Sequence, residues 1–169
     1  SLEGQWTFTG YDSPGNVPQD WLSIQQDGAE GRAISVPHLW TMDDAESDQP
    51  IYTNVRMPFR HEPPQTPQHN PTGIYRCWFD VEELDGRTLI NLEGIENCYE
   101  IALNGEWLGF NKDARLPAQF ELSSKLRRGQ NLLALKVLKF SDASYIEDQD
   151  QWWHGGIHRP VTLTRRPDV

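Results

Sequence analysis

Along the chain, apolar and polar residues alternate in short runs, and turn residues separate the runs at intervals of about 8 to 12 residues. Long apolar stripes with a 3.6-residue period are almost absent, so the pattern predicts an all-β domain. Gln5-Trp6-Thr7-Phe8-Thr9 reads as a first strand, ended by Asp12-Ser13-Pro14-Gly15-Asn16. A second short strand is expected over Ala33 to Val36. From there to Thr72 the chain carries seven prolines and little periodicity, which predicts a long irregular segment lying over the core. Regular structure resumes with Ile74 to Val81, a strand stopped by the Asp85-Gly86 turn, and continues with Thr88 to Leu92. Asn104-Gly105 tolerates positive φ at both residues. It therefore marks a two-residue type I′ turn between Tyr99–Leu103 and Glu106–Phe110. Phe120 to Leu122, a single helical turn over Ser123 to Gly129, an apolar strand from Leu132 to Phe140, and a last strand from Val161 to Thr164 complete the reading. Many short strands with frequent turns indicate a jelly-roll β-sandwich of about eight strands. The domain is expected to span 1–169, with the first strands and the Pro-rich segment in 1–72 and the main sandwich strands in 73–169.

Charge narrows the function. The 169 residues hold 15 Lys+Arg against 25 Asp+Glu, a formal net charge of -10, which argues against a nucleic-acid partner, since phosphate neutralisation needs a basic face. No run approaches the roughly 18 consecutive apolar residues of a membrane span. With 37% hydrophobic residues, including seven Trp, the chain can bury a core of ordinary domain size. Cys77 and Cys98 sit in apolar strand runs and read as unpaired, reduced thiols, although adjacent strands would allow them to pair. The chain opens on Ser1 with no signal peptide, as a cut or processed fragment would, and a cytoplasmic location is expected.

The densest candidate chemistry is Ser141 to Trp153. There Asp142, Glu147, Asp148 and Asp150 precede the paired indoles Trp152 and Trp153. Hard oxygen ligands beside a stacking surface suit a cation and a sugar ring, while the same spacing also describes a solvated acidic loop. The five histidines are dispersed over loops and predict no zinc site, and neither a nucleophile elbow nor a Gly-rich phosphate loop occurs. Like charges in a polar loop do not raise a carboxyl pKa as a glycosidase acid requires, so no self-sufficient active site is expected.

Several motifs in order carry a more specific signal. Gly4-Gln5-Trp6-Thr7-Phe8, Pro50-Ile51-Tyr52-Thr53-Asn54-Val55, Asn70-Pro71-Thr72-Gly73-Ile74-Tyr75, Leu103-Asn104-Gly105 and Asp113-Ala114-Arg115-Leu116-Pro117 are followed by Glu147-Asp148-Gln149-Asp150 and Gly156-Ile157-His158-Arg159-Pro160-Val161. Almost end to end, this resembles the N-terminal sugar-binding jelly-roll domain of bacterial β-galactosidases of glycoside hydrolase family 2. The resemblance implies a non-catalytic domain closing one side of an active site. A following (β/α)8 barrel would supply the two catalytic glutamates and magnesium and act with retention. It further implies that Asp150 contacts galactose and a sodium ion shared with the barrel, that Asn54 makes the other substrate contact, and that Val55 lines the same spot. A homo-oligomeric parent is expected. Trp152-Trp153-His154-Gly155-Gly156 departs from the family in its side chains. The rival expectations are a free-standing carbohydrate-binding module stacking sugars on Trp21, Trp40, Trp107, Trp152 and Trp153, a domain of another family 2 enzyme such as a β-glucuronidase, and a scaffold for subunit contact. Trp107, in a strand run, is expected in the core.

Overall fold

A computed structural model describes residues 1–23, 31–43 and 48–167; residues 24–30, 44–47 and 168–169 of the expected domain lie outside the described residues. In chain order the strands are β1 (Gly4–Tyr11), β2 (Arg32–Val36), β3 (His38–Leu39), β4 (Ile51–Thr53), β5 (Thr72–Val81), β6 (Arg87–Leu92) and β7 (Ile95–Glu96). They continue with β8 (Cys98–Leu103), β9 (Glu106–Asn111), β10 (Ala118–Glu121), β11 (Gly129–Leu138), β12 (Gln151–Trp153), β13 (Gly156–Ile157) and β14 (Val161–Arg166). A short helix, α1, covers Ser144–Glu147.

Two antiparallel layers form the β-sandwich. One is a six-stranded sheet in the order β2-β1-β5-β11-β8-β9, and the other is the three-stranded sheet β10-β6-β14. These nine strands match the expected eight or so, and five shorter ones make up the sheets β3-β13-β7 and β12-β4 at one end. The spine is the pairing of β5 with β11 over ten residues, from Thr72 opposite Leu138 to Val81 opposite Gly129. Alternation sends Tyr75, Leu133, Leu135, Val137, Tyr99 and Ile101 inward against Ile90, Leu92 and Val161 of the second layer. The outer face of the large sheet is also covered, since Val17 and Trp21 pack on Ile74, Ala102 and Ala134. Burial on both faces explains why β5 and β11 read as nearly continuous apolar runs.

The Asn104-Gly105 turn forms with φ of 54° and 86°, as a type I′ hairpin requires. The regular register of that turn sets Trp107 opposite Ala102 on the outer face of the edge strand β9, where the indole is 52% exposed, and a bulge follows between Trp107 and Gly109. Its expected place in the core is therefore corrected: Trp107 stands on the outer face at the sheet edge, apart from the residues that cover that face around Trp21. Ser123 to Gly129 closes a turn in which the Leu126 amide donates to the Leu122 carbonyl, and Gly129, at φ +84°, opens β11 rather than ending a helix.

The described parts of the Pro-rich segment are more ordered than its sequence suggests. They contribute β3, β4 and a 3-10 turn at Trp40–Met42, and Trp40 is buried against Phe8 and Tyr75, with ring centroids at 5.7 and 6.3 Å. Lys139, whose side chain is fully buried, ties the segment down by donating to Asp48 Oδ1 at 2.5 Å and to the Gln49 carbonyl at 3.1 Å. Thus the segment is fixed over the end of the sandwich where β5 begins and β11 ends.

Candidate functional site

The site is built on the two-stranded ribbon of β4 and β12, which pairs Ile51 with Trp153, Tyr52 with Trp152 and Thr53 with Gln151. Successive side chains of an extended chain point to opposite faces, so the two adjacent indoles part company. Trp153 turns inward, where it is buried against Phe140 at 6.0 Å and donates Nε1–H to Thr53 Oγ1 at 2.7 Å. Phe140 in turn meets Phe59, which packs edge-on against Tyr145. Trp152 turns outward and is 53% exposed, its ring 5.5 Å from that of Tyr52. Asp150 lies two residues before Trp152 and Asn54 two after Tyr52. The pairing places Tyr52 and Trp152 on one exposed face, and the bends at Asn54 and Asp150 adjoin the same end of the ribbon.

Side-chain bonds bear out the gathering. Tyr52 Oη–H donates to Asp150 Oδ1 at 2.6 Å, and Asn54 is near enough to the phenol to oppose the effect of that bond on its pKa. The carboxylate, accepting the phenolic proton, holds the Tyr52 pKa above its ordinary 10.0. Val55 follows with φ +71° and a fully presented side chain, a backbone conformation rare for a β-branched residue. Of the residues expected at the site, Asn54 and Asp150 are brought together, and Val55 stands beside Asn54 at the same end of the ribbon. Tyr52 is the member that sequence reading passed over. A three-residue strand gives no periodic signal for it, and its partner lies 98 residues away.

The acidic run divides into separate tasks. Glu147, at the end of α1, accepts from the Ala114 amide at 2.8 Å and from Asn97 Nδ2 at 2.8 Å, and so pins two loops. Asp142 pairs with Lys112 at 2.8 Å, which holds its carboxyl below the ordinary value. Beside the ribbon a cleft of about 320 Å³ is lined by Asp113, Arg115, Leu116, Ile146, Glu147, Gln149 and Gln151. Behind it Glu96, pushed up by burial, is paired with Arg115 at 2.6 Å. Among the described residues no three His, Cys, Asp or Glu side chains converge as a metal centre. His154 bonds Thr41 at 2.9 Å, and His158 is pushed down to about 4 by burial and by the cations Arg115 and Arg159. Cys77 and Cys98 are free, two strands apart in the sheet and on opposite faces. Gly155 is required by close approach, because a Cβ there would meet the Trp40 ring at 2.1 Å. Of the five tryptophans expected as stacking platforms, Trp21, Trp40 and Trp153 are buried, so only Trp107 and Trp152 present a face to solvent.

Comparison with known proteins agrees with this architecture. Residues 1–167 match the family described as glycosyl hydrolases family 2, sugar binding domain. The chain belongs to this family. A β-galactosidase of Enterobacter cloacae is 44% identical over 172 residues, covering all of this chain and 16% of that protein. A β-galactosidase of Photobacterium profundum is 41% identical over 169 residues, covering 99% of this chain and 16% of the relative. The family 2 domain thus spans about one sixth of the length of these curated relatives. Among solved structures, a calcium-binding mutant of Bacteroides uniformis β-glucuronidase 2 superposes with a TM-score of 0.72 at 19% identity, over 99% of this chain and 18% of that one. A β-glycosidase from Bacteroides vulgatus gives 0.67 at 22% identity, over 96% of this chain and 19% of that one. At these identities the structures share the fold.

Proposed function

We propose that this domain forms one wall of the active site of a β-galactosidase whose catalytic barrel lies elsewhere in the same polypeptide. The observation that carries the reading is the exposed ribbon face on which Asn54 and Asp150 meet at the Tyr52 hydroxyl beside Trp152. A carboxylate and an amide approaching a pyranose from one side discriminate the position of a hydroxyl, because the wrong epimer leaves them unpaired. The surroundings support completion by another domain. Val55 at 92%, Ile146 at 86% and Leu116 at 64% exposure flank the ribbon and its cleft, and apolar surface of this kind marks a contact.

Asp150 would hold sodium together with oxygens of the barrel. One exposed carboxylate suits a hard, singly charged ion whose remaining ligands come from outside the domain. The ion supplies an electrostatic anchor for a sugar oxygen. Val55 lines the sugar's edge. Magnesium and the two glutamates that act with retention belong to the barrel, and the domain alone is inactive. The relatives at 41 to 44% identity carry the name β-galactosidase, which favours galactosides over the glucuronides named for the structural neighbours.

The test is Asp150→Asn in the full-length protein. Sodium activation of β-galactoside hydrolysis should weaken by about tenfold in the sodium concentration for half activation, as expected for losing a charge-assisted ligand. An unchanged sodium dependence would overturn the assignment of Asp150.

A further inference from the structure

We propose that Tyr52 is the positioning residue of this site, its phenol fixing the Asp150 carboxylate beside Asn54 before sugar or ion arrives. The proposal rests on the reading of Asp150 given above and extends it to a residue that contacts neither ligand directly. Three observations carry it.

First, Asp150 lies in the bend that leads from α1 into β12, outside any ladder, so its backbone alone leaves the carboxylate free to rotate. The Tyr52 hydroxyl, at 2.6 Å from Oδ1, removes that freedom and leaves the second carboxylate oxygen for a ligand. Second, Asn54 lies close enough to the same phenol to lower its pKa against the pull of Asp150, so both polar groups border one hydroxyl. A single hydroxyl thus fixes the carboxylate next to the amide. Third, the Tyr52 ring is itself located. It pairs across the ribbon with Trp152 at 5.5 Å, and β4 is anchored from behind by the Trp153 to Thr53 bond. Preorganisation of this kind lowers the ordering cost on binding, so its loss is read in ion and substrate affinity rather than in folding.

The experiment uses Tyr52→Phe, Asp150→Asn and the double variant in the full-length protein, assayed with a chromogenic β-galactoside across a sodium series. Tyr52→Phe keeps the exposed ring and its contact with Trp152, and its thermal unfolding should match that of the parent. It should raise the sodium concentration for half activation about three- to tenfold and raise KM at low sodium, with kcat recovered at saturating sodium. In the Asp150→Asn background the same substitution should add nothing, since the hydroxyl acts through the carboxylate. If Asp150→Asn shifts the sodium curve and Tyr52→Phe does not, the positioning role is overturned while the reading of Asp150 stands. Additive effects in the double variant also overturn it. If Asp150→Asn leaves the curve unchanged, the reading of Asp150 fails, and with it any role for Tyr52 exerted through that residue.

Discussion

His158 places both ring nitrogens in the interior without a hydrogen-bond partner, beneath Gly94 and between Arg115 and Arg159. Burial, then the two guanidinium groups, then His154, push its pKa from 6.5 down to about 4. The sign of the consequence follows from proton binding. As pH falls below 6.5 the unfolded chain takes up a proton that the folded chain refuses, so stability is full above 6.5 and drains away toward about 4. His154, lowered by burial, acts in the same direction, whereas buried Glu96, raised above 4.5, acts in the opposite one. Comparison of variants isolates the His158 share: His158→Phe should give a denaturation midpoint that falls less steeply between pH 6.5 and 4 than the parent's. Equal slopes would show that the ring is protonated alike in both states. Tyr52 shows why such roles elude a sequence reader. A tyrosine next to a threonine is ordinary strand composition, and its weight comes from a carboxylate 98 residues later.

The β8–β9 hairpin is the element whose sequence signal and structure agree best, and it is held by more than its turn. Asn104, at φ 54°, donates from Nδ2 to the Lys125 carbonyl at 2.9 Å and to Asn131 Oδ1 at 2.8 Å, and accepts the Leu132 amide at 3.0 Å. The hairpin end is thereby tied to the start of β11. Asn104→Ala should cost about 2 to 4 kcal/mol, from buried groups left unpaired and a left-handed residue without its side-chain support. Urea denaturation measures it, and a loss under about 1 kcal/mol would mean that water replaces the amide. The β4–β12 ribbon is the contrasting element. Three residues in each strand carry almost no periodic signal. The pairing depends on Trp153, Phe140 and Phe59 packing beneath it, a contact between segments far apart in the chain. Reading Trp152 and Trp153 as one stacking surface missed the alternation that sends the second indole inward.

Across the molecule, the sandwich presents its irregular segments at one end, and the candidate site stands there as an open face rather than an enclosed pocket. The isolated family 2 domain should therefore bind galactosides too weakly for calorimetry to register. Measurable binding by the isolated domain would instead favour a free-standing module, with Trp107 and Trp152 the exposed members of its expected stacking platforms. The all-β class, the positions of the long strands, the Asn104-Gly105 hairpin and, through motif order, the family are all legible in the chain before it folds. Those features are set by local alternation, turn chemistry and residues adjacent in the chain. Folding alone establishes which side chains share a face across β4 and β12, that Glu147 and Asp142 are structural ties while Asp150 is exposed at the ribbon, and that Trp107 lies outside the core. These depend on strand register and on contacts between distant segments, which no local pattern encodes, because a one-residue shift reverses every side chain's face.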